Sequence, residues 1–154
     1  MQRLPKRVKT VWLFSALGGA LFWIAILIGY RIAQIFWSWL PIWGLLIVLI
    51  IGLIVTFSEI ALIPYRYRFY HFAVNETDVE IQKGFFFRKH ISIPIARVQN
   101  VDLNQGPFLI TQHLYEVKIA TGGSNHSIDA LTKEHATELK NRVMQLALEA
   151  KNAQ

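Results

Sequence analysis

Two long apolar runs, with a single basic residue between them, dominate the first third of the chain. Residues 11–30 contain no charged residue, and neither do residues 32–58. A helix of about 20 residues crosses the roughly 30 Å hydrocarbon core of a bilayer, so each run is long enough to span it. Helices of a soluble domain would need a polar face, which these runs lack. The pattern predicts transmembrane helices at 11–30 and 41–63, joined by an interfacial segment at 31–40.

The basic residues around these runs predict their orientation. Only Arg31 lies in the connection, whereas Arg66 and Arg68 follow the second run. Four more basic residues precede the first run: Arg3, Lys6, Arg7 and Lys9. Because basic residues accumulate on the cytoplasmic side of membrane helices, both termini are expected in the cytoplasm, with residues 1–10 as a short basic tail. An aromatic belt is expected at the inner surface, formed by Trp12, Tyr65, Tyr67 and Tyr70.

Small residues in the first run predict close helix packing. Ser15 and Gly19, like Ala16 and Ala20, are four positions apart and would let a second helix approach closely. We expect this face to pack against the second span, although contact with another molecule relies on the same physics. Glu59 lies near the inner end of the second span, where a lone carboxylate is more typical of the membrane interface than of an ion path.

Pro64 is expected to end the second helix. After it, apolar residues no longer form a helical run but alternate with polar ones, which is typical of β-strands. Alternating apolar and polar residues predict about six or seven antiparallel strands, beginning with the aromatic residues at 66–74. The longest strand is predicted at 85–95. Its buried face would hold Phe85, Phe87, Ile91, Ile93 and Ile95. Pro94 and the off-phase Val98 indicate a break or a bulge after it.

One amphipathic helix is predicted after the strands. Thr132 is a suitable N-cap, and apolar residues then recur at intervals of three and four up to Ala150. We therefore expect 65–154 to form an α+β domain, in which a barrel or a strongly bent antiparallel sheet is closed by the C-terminal helix. Leu139, in the middle of the apolar stripe, should be a core residue.

Composition excludes several classes of function. The chain has 154 residues, a net charge of +6 and no cysteine. Neither a disulfide framework nor a Cys-ligated metal site is therefore possible. Residues 65–154 contain 11 basic and 9 acidic residues, so the positive charge lies mainly in the N-terminal tail. Because a nucleic-acid-binding domain would concentrate basic residues on its own surface, nucleic acid is not expected as a partner.

No residue pattern indicates catalysis. Ser124, His126 and Asp129 crowd together in one predicted hairpin, but adjacent strand residues point to opposite faces, and a catalytic triad is assembled in space. The five histidines show no spacing typical of metal ligands, and Gly122-Gly123-Ser124 lacks the lysine of a phosphate-binding loop. We therefore expect a non-enzymatic protein with no cofactor, no metal and no small-molecule substrate.

The segment at 93–107, which reads IPIARVQNVDLNQGP, resembles the signature of YdbS-like membrane proteins, which carry a bacterial pleckstrin-homology (PH) domain. The stretch at 126–131 is also similar to theirs, and these proteins also place two spans before the domain. The resemblance implies a PH-like antiparallel β-barrel with a C-terminal helix, in the inner membrane of a bacterium. One departure follows the Gly-Pro, where the family tends to have a basic residue and Gly-Leu. Residues 108–114 contain no Lys or Arg, and His113 stands where Gly is usual.

A row of polar residues in this segment is the first candidate binding surface. Val101 and Leu103 are expected to face the core, which turns Asn100, Asp102 and Asn104 outward together. Although exposed polar residues are often only solvated, this row lies in the segment of clearest resemblance and beside the predicted bulge. We therefore expect it to bind a protein, either another membrane protein or a second copy of the chain.

The hairpin around Gly84 is the second candidate surface. Capture of phosphoinositides by a PH domain requires clustered Lys and Arg on the first hairpin loop, but that loop, at 75–78, is acidic here. Specific headgroup binding is therefore disfavoured. Four residues could still contact anionic lipid, or form an ordinary solvated strand face: Lys83, Phe86, Arg88 and Lys89.

These observations together predict an integral membrane protein without enzymatic activity. It would present a PH-like interaction domain at the cytoplasmic face, as part of a complex with another membrane protein or with itself. The alternative is a module that senses the anionic lipid surface without a protein partner.

Overall fold

The computed structural model describes residues 1–84 and 86–154, which divide into two compact units. One unit comprises residues 1–11 and 64–154, and the other comprises residues 12–63. Two long helices, α1 (Val8–Phe36) and α2 (Trp43–Phe69), supply all the helical residues of the second unit.

Both helices are longer than predicted. Their 29 and 27 residues correspond to about 43 and 40 Å of helix, more than the roughly 30 Å of a hydrocarbon core. Each is long and apolar enough to cross a membrane. Large apolar side chains are exposed along them, including Leu21, Phe22, Leu53 and Ile54. The core helix of a soluble protein would bury such residues, so this surface is suited to lipid.

The connection between the helices occupies residues 37–42 and is shorter than the predicted segment at 31–40. Helix α1 continues past Arg31, whose Nη1 donates to Gln34 Oε1 at 2.9 Å. Tyr30 Oη and Gln34 Nε2 both donate to the carbonyl oxygen of Pro41, at 2.9 and 3.3 Å. These bonds hold the connection against the last turns of α1.

Pro64 does not end α2, contrary to the prediction, and the helix continues to Phe69. A proline removes only its own N–H from the helix, and the turn that follows is held by other contacts. Tyr67 Oη donates to the carbonyl oxygen of Leu4 at 2.9 Å, and Lys9 Nζ lies 4.4 Å from the centroid of the Tyr67 ring. The aromatic residues at 66–69, which were predicted as strand, therefore belong to α2.

The first sheet contains four antiparallel strands in the order β1-β2-β3-β4. They are β1 (Gln2–Arg3), β2 (His71–Val74), β3 (Asp78–Lys83) and β4 (Lys89–Pro94). Strand β1 was not predicted, because its two residues acquire strand structure only by pairing with Phe72 and His71. Leu4 and Val8 are buried. The segment predicted as a basic tail is thus part of the folded unit.

Strand β4 is shorter than the predicted strand at 85–95. It begins at Lys89, because Gly84 adopts a left-handed φ of 97° and turns the chain. Phe87, predicted to be buried, is instead 91% exposed in the resulting loop. Ile93 and Ile95 are buried as predicted. Phe85 lies outside the described residues.

The second sheet contains three antiparallel strands in the order β5-β6-β7. They are β5 (Val98–Asn104), β6 (Leu114–Thr121) and β7 (Asn125–Thr132), with a short helix α3 (Pro107–Thr111) between β5 and β6. The predicted barrel is not closed. A single turn of 3-10 helix at Ile95–Arg97 separates β4 from β5, so these strands belong to different sheets.

Helix α4 (Lys133–Asn152) packs on the second sheet and the 3-10 turn. Thr132 is its N-cap, as predicted, and Thr132 Oγ1 accepts a hydrogen bond from the His135 N–H at 3.4 Å. Leu139 is only 7% exposed and is therefore a core residue, as predicted. The buried stripe of the helix comprises Ala136, Leu139, Val143 and Ala147.

Candidate functional site

The outward face of β5 carries the polar row that was predicted to bind a partner. Asn100, Asp102 and Asn104 are all exposed, whereas Val101 is fully buried and Leu103 is half-buried. Asn100 Nδ2 donates to both carboxylate oxygens of Asp102, at 2.9 and 3.0 Å. This contact orders two of the three side chains before any partner binds.

A bulge at the start of β5 sets which side chains face outward. The register with β6 shifts between Val98 and Asn100, where the sequence predicted a break or bulge. Residues three apart on a regular strand point to opposite faces, but Val98 and Val101 are both buried. The extra residue in the bulge therefore aligns the polar row with the exterior.

The polar surface extends from β5 onto β6. Asp102 is paired with Lys118 and Asn104 with Glu116, and such cross-strand pairs share one face of a sheet. Lys118 Nζ lies 3.9 Å from Glu116 Oε2. Within residues 1–84 and 86–154, no strand pairs with the outer side of β5, which is therefore the edge strand of its sheet. Charges of both signs beside an open strand edge are suited to binding a polypeptide.

The four predicted lipid-contact residues lie together at one end of the β3–β4 hairpin. Lys83 and Lys89 form the last pair of the ladder, and Phe86 and Arg88 are exposed in the loop. The guanidinium carbon of Arg88 lies 5.1 Å from the centroid of the Phe69 ring, within the range of a cation–π contact. The hairpin loop is thus held next to the last residue of α2.

A polar cluster that the sequence did not reveal joins the end of α2 to β7. Arg66 Nη2 lies 3.3 Å from Asp129 Oδ2, and the Asp129 N–H donates to Tyr70 Oη at 3.0 Å. Tyr70 is only 1% exposed, although it was predicted in an aromatic belt at the membrane surface. The pairing of β7 with β6 is irregular here, and Ala130 has a left-handed φ of 34°. This irregularity leaves the Asp129 N–H to bind Tyr70 rather than the ladder.

Burial governs the protonation of this cluster. Burial raises the pKa of the Tyr70 hydroxyl far above its ordinary value, and the Asp129 carboxylate raises it further. Burial also raises the pKa of the Asp129 carboxyl, whereas the Arg66 guanidinium opposes that shift. A hydroxyl with a raised pKa is a poor base or nucleophile at neutral pH. The Tyr70 hydroxyl therefore stays protonated at neutral pH, and the contacts of the cluster form a structural joint between the end of α2 and β7.

Ser124 and His126 do meet in the structure, but Asp129 does not join them. Ser124 Oγ lies 2.9 Å from His126 Nε2 and 3.1 Å from Thr121 Oγ1, within the turn between β6 and β7. Asp129 is instead bonded to Arg66. Across residues 1–84 and 86–154, no group of three or more His, Asp or Glu side chains is placed to hold a metal ion.

In the unit formed by residues 12–63, the first helix faces the second through small residues. A Cβ atom added to Gly19 would lie 3.5 Å from Glu59 Oε2, so the Glu59 side chain lies against Gly19. The other small residues differ in exposure: Ala16 is buried, Ala20 half-buried and Ser15 exposed. Gly19 thus contributes to contact within the chain, whereas Ser15 faces outward.

His113 occupies a backbone position that favours glycine. His113 has a φ of 54°, in the left-handed region that glycine adopts without steric cost. Leu114, directly after it, is buried at the start of β6. A glycine at this position would suit the turn that leads the chain from α3 into the core.

Comparisons with known proteins agree with this architecture. The family model described as bacterial PH domain matches residues 10–147. The chain is 36% identical over 128 residues to UPF0699 transmembrane protein YdbS of Bacillus subtilis (strain 168), covering 80% of this chain and 78% of that protein. No solved structure matches the chain. The two apolar helices and the similarity to a transmembrane protein together support a membrane protein with a PH-like domain. Because the family match covers most of the chain, the chain belongs to the bacterial PH domain family.

Proposed function

We propose that this protein is a membrane-anchored interaction module without catalytic activity, and that its PH-like domain binds another membrane protein. The observation that carries the proposal is the exposed polar face of β5. Asn100, Asp102 and Asn104 project together from a strand at the edge of its sheet. An edge strand offers main-chain hydrogen bonds for affinity, and the side chains beside it supply selectivity.

The two long helices are proposed to hold this domain at the cytoplasmic face of the membrane, with both termini on that side. Four basic residues precede the first span, and Arg66 and Arg68 follow the second, while Arg31 alone lies near the connection. This asymmetry supports the orientation, because basic residues near spans remain in the cytoplasm. A partner anchored in the same membrane would meet the domain at a raised effective concentration.

The proposed absence of catalysis is supported by how the polar side chains are used. Asp129 binds Arg66 through its carboxylate and Tyr70 through its N–H, and Tyr70 is buried. Ser124 and His126 form part of a turn. Each of these groups makes a contact within the fold, whereas the polar row on β5 faces outward.

The test is a triple substitution of the polar row. The full chain carrying Asn100→Ala, Asp102→Ala and Asn104→Ala should be inserted in the membrane and cross-linked there. Because surface changes usually alter stability by less than about 1 kcal/mol, the variant should remain folded. It should lose the cross-linked adduct that the unaltered chain forms. The mass of the adduct identifies the partner class, since a second copy of the chain would add 17.7 kDa.

A matched control removes three exposed polar side chains from α4: Thr137→Ala, Glu138→Ala and Asn141→Ala. This variant should retain the adduct in full. Equal recovery from both variants would show that the β5 face is not the docking site. Binding would then have to occur through the spans or the other strands.

A further inference from the structure

The loop between β3 and β4 exposes two adjacent phenylalanine side chains. Phe86 is 81% exposed and Phe87 is 91% exposed. Two neighbouring aromatic rings in water are unfavourable, because each retains a large apolar area that burial would remove from solvent. They lie at the tip of a hairpin. A narrow tip can insert into a lipid bilayer more readily than a flat surface can.

Basic residues lie at the base of this loop, next to the two phenylalanines. Lys83 and Lys89 are paired at the end of the ladder, and Arg88 is exposed in the loop. The opposite end of the same two strands is marked by the Asp78–Pro94 pair and the acidic turn that contains Glu76. The hairpin is therefore polarised along its length, with an aromatic and basic end and an acidic end. Anionic surfaces would attract the first end and repel the second.

The chain also keeps the hairpin tip close to the membrane anchor. Arg88 lies on the ring of Phe69, the last residue of α2. Phe69 follows Ile63, the last residue of the apolar unit, by six positions. A six-residue segment spans at most about 21 Å even when fully extended. Phe69, on which Arg88 lies, is therefore connected to the end of the apolar segment by at most about 21 Å of chain.

We propose that the β3–β4 tip, formed by Lys83 and residues 86–89, is a second membrane contact that inserts Phe86 and Phe87 into an anionic bilayer surface. Lys83, Arg88 and Lys89 would lie at the level of the lipid phosphates, where each favourable contact is electrostatic and requires no particular headgroup. The contact is distinct from protein binding by β5. It relies on the anchoring by α1 and α2 that is part of the proposed function, and it would restrict the orientation of the domain on the membrane.

A bilayer suits this surface better than a protein does. An apolar protein-binding site is usually a broad patch with a concave or flat centre, whereas this one is a narrow tip with basic residues behind two rings. The same order, apolar tip followed by basic residues, is found in segments that lie in the membrane interface. Anchoring by α1 and α2, which is part of the proposed function, would also keep the domain near the bilayer.

Single introduced cysteines can test the insertion, since the chain has none of its own. The full chain with Phe87→Cys carries a spin label and is reconstituted in vesicles of phosphatidylcholine alone or with phosphatidylglycerol. Collision with oxygen reports on apolar surroundings, and collision with a water-soluble nickel complex reports on water. We expect the label to be shielded from nickel and accessible to oxygen in the anionic vesicles. The shielding should be weaker in the neutral ones.

Two reference positions make the readout specific. A label at Glu76→Cys, at the acidic end of the hairpin, should remain accessible to nickel in both vesicles. A label at Leu21→Cys, an exposed apolar position of α1, should be shielded in both. If the Leu21 label is in water, the anchoring itself is wrong. If the Leu21 label is shielded and the Phe87 label is in water, the anchoring holds and the inserted tip is wrong.

A charge variant tests the basic residues. Adding Lys83→Gln, Arg88→Gln and Lys89→Gln to the Phe87-labelled chain should lower the ratio of inserted to aqueous tip on the order of 100-fold in anionic vesicles, since each basic residue contributes about fivefold. Unchanged shielding in this variant would contradict an anionic lipid contact. Shielding that disappears when the protein is diluted into excess lipid would assign the tip to a second copy of the chain and overturn the proposal.

Discussion

The hydroxyl of Tyr70 lies at the point where the chain leaves α2 and enters the sheets. It accepts a hydrogen bond from the backbone N–H of Asp129, which lies in the irregular part of β7. The Asp129 carboxylate in turn binds Arg66. One buried side chain thus satisfies a backbone group that the β6–β7 ladder leaves unpaired. The joint connects the end of α2 to β7, the last strand of the domain.

At the residue scale, Tyr70→Phe should destabilise the domain by about 1–3 kcal/mol, because it leaves the buried Asp129 N–H without its acceptor. Urea unfolding of the full chain in mild detergent, followed by circular dichroism, would measure the change. Tyr65→Phe serves as the control, since Tyr65 is more than half exposed and should change stability much less. Equal effects from the two substitutions would contradict the joint.

The same variant should alter the pH dependence of stability. The pKa of Tyr70 is raised in the folded chain, so the folded chain retains this proton after the unfolded chain has lost it. The corresponding stabilisation is complete below about pH 10, the ordinary tyrosine pKa, and is lost as the pH rises above it. Tyr70→Phe should therefore unfold with a shallower dependence on pH above about 10 than the unaltered chain.

At the scale of elements, α4 completes the core of the second sheet. One stripe of the helix is buried against β5, β6, β7 and the 3-10 turn, while the opposite side is exposed. Each of the two sheets is small and antiparallel, and the barrel is open. The helix therefore supplies much of the apolar contact that strands alone would lack.

Two leucines of α4 provide a direct comparison. Leu139→Ala should cost about 2–5 kcal/mol, because Leu139 is buried and its removal leaves a cavity. Leu148→Ala should cost less than about 0.5 kcal/mol, since Leu148 is 60% exposed and both changes keep a good helix former. Denaturant unfolding would measure both. A small loss at Leu139 would remove α4 from the core.

At the scale of the whole molecule, the two units differ in where their apolar side chains lie. Residues 12–63 expose large apolar side chains along both helices, which require lipid. The other unit has a buried core of its own, drawn from both sheets and α4. The proposed arrangement places the first unit across the membrane and the second in the cytoplasm.

Three exposed positions test this arrangement: Gln2→Cys, Ser38→Cys and Asn152→Cys, each as the single cysteine of the chain. In intact cells, a membrane-impermeant maleimide should label only Ser38→Cys, which lies in the connection between the helices. All three should be labelled after the cells are opened. Labelling of Asn152→Cys in intact cells would place the domain on the outer side and reverse the orientation.

Features that depend on one segment were predictable from the sequence. The apolar helices follow from two uninterrupted apolar runs, the N-cap from the residue type at Thr132, and the buried stripe of α4 from periodicity. The polar row on β5 also follows from alternation, because Val101 is buried and its neighbours are exposed. Each of these features is decided by residues close together in the sequence.

Features that join distant segments were decided by tertiary structure. Strand β1 exists because Gln2 and Arg3 pair with β2, and the Tyr70–Asp129 bond joins residues 59 positions apart. The opening of the barrel and the passage of α2 through Pro64 likewise depend on what lies beside these segments. Local periodicity reports which face of an element is apolar. It does not report which other element will cover that face or bind its polar groups.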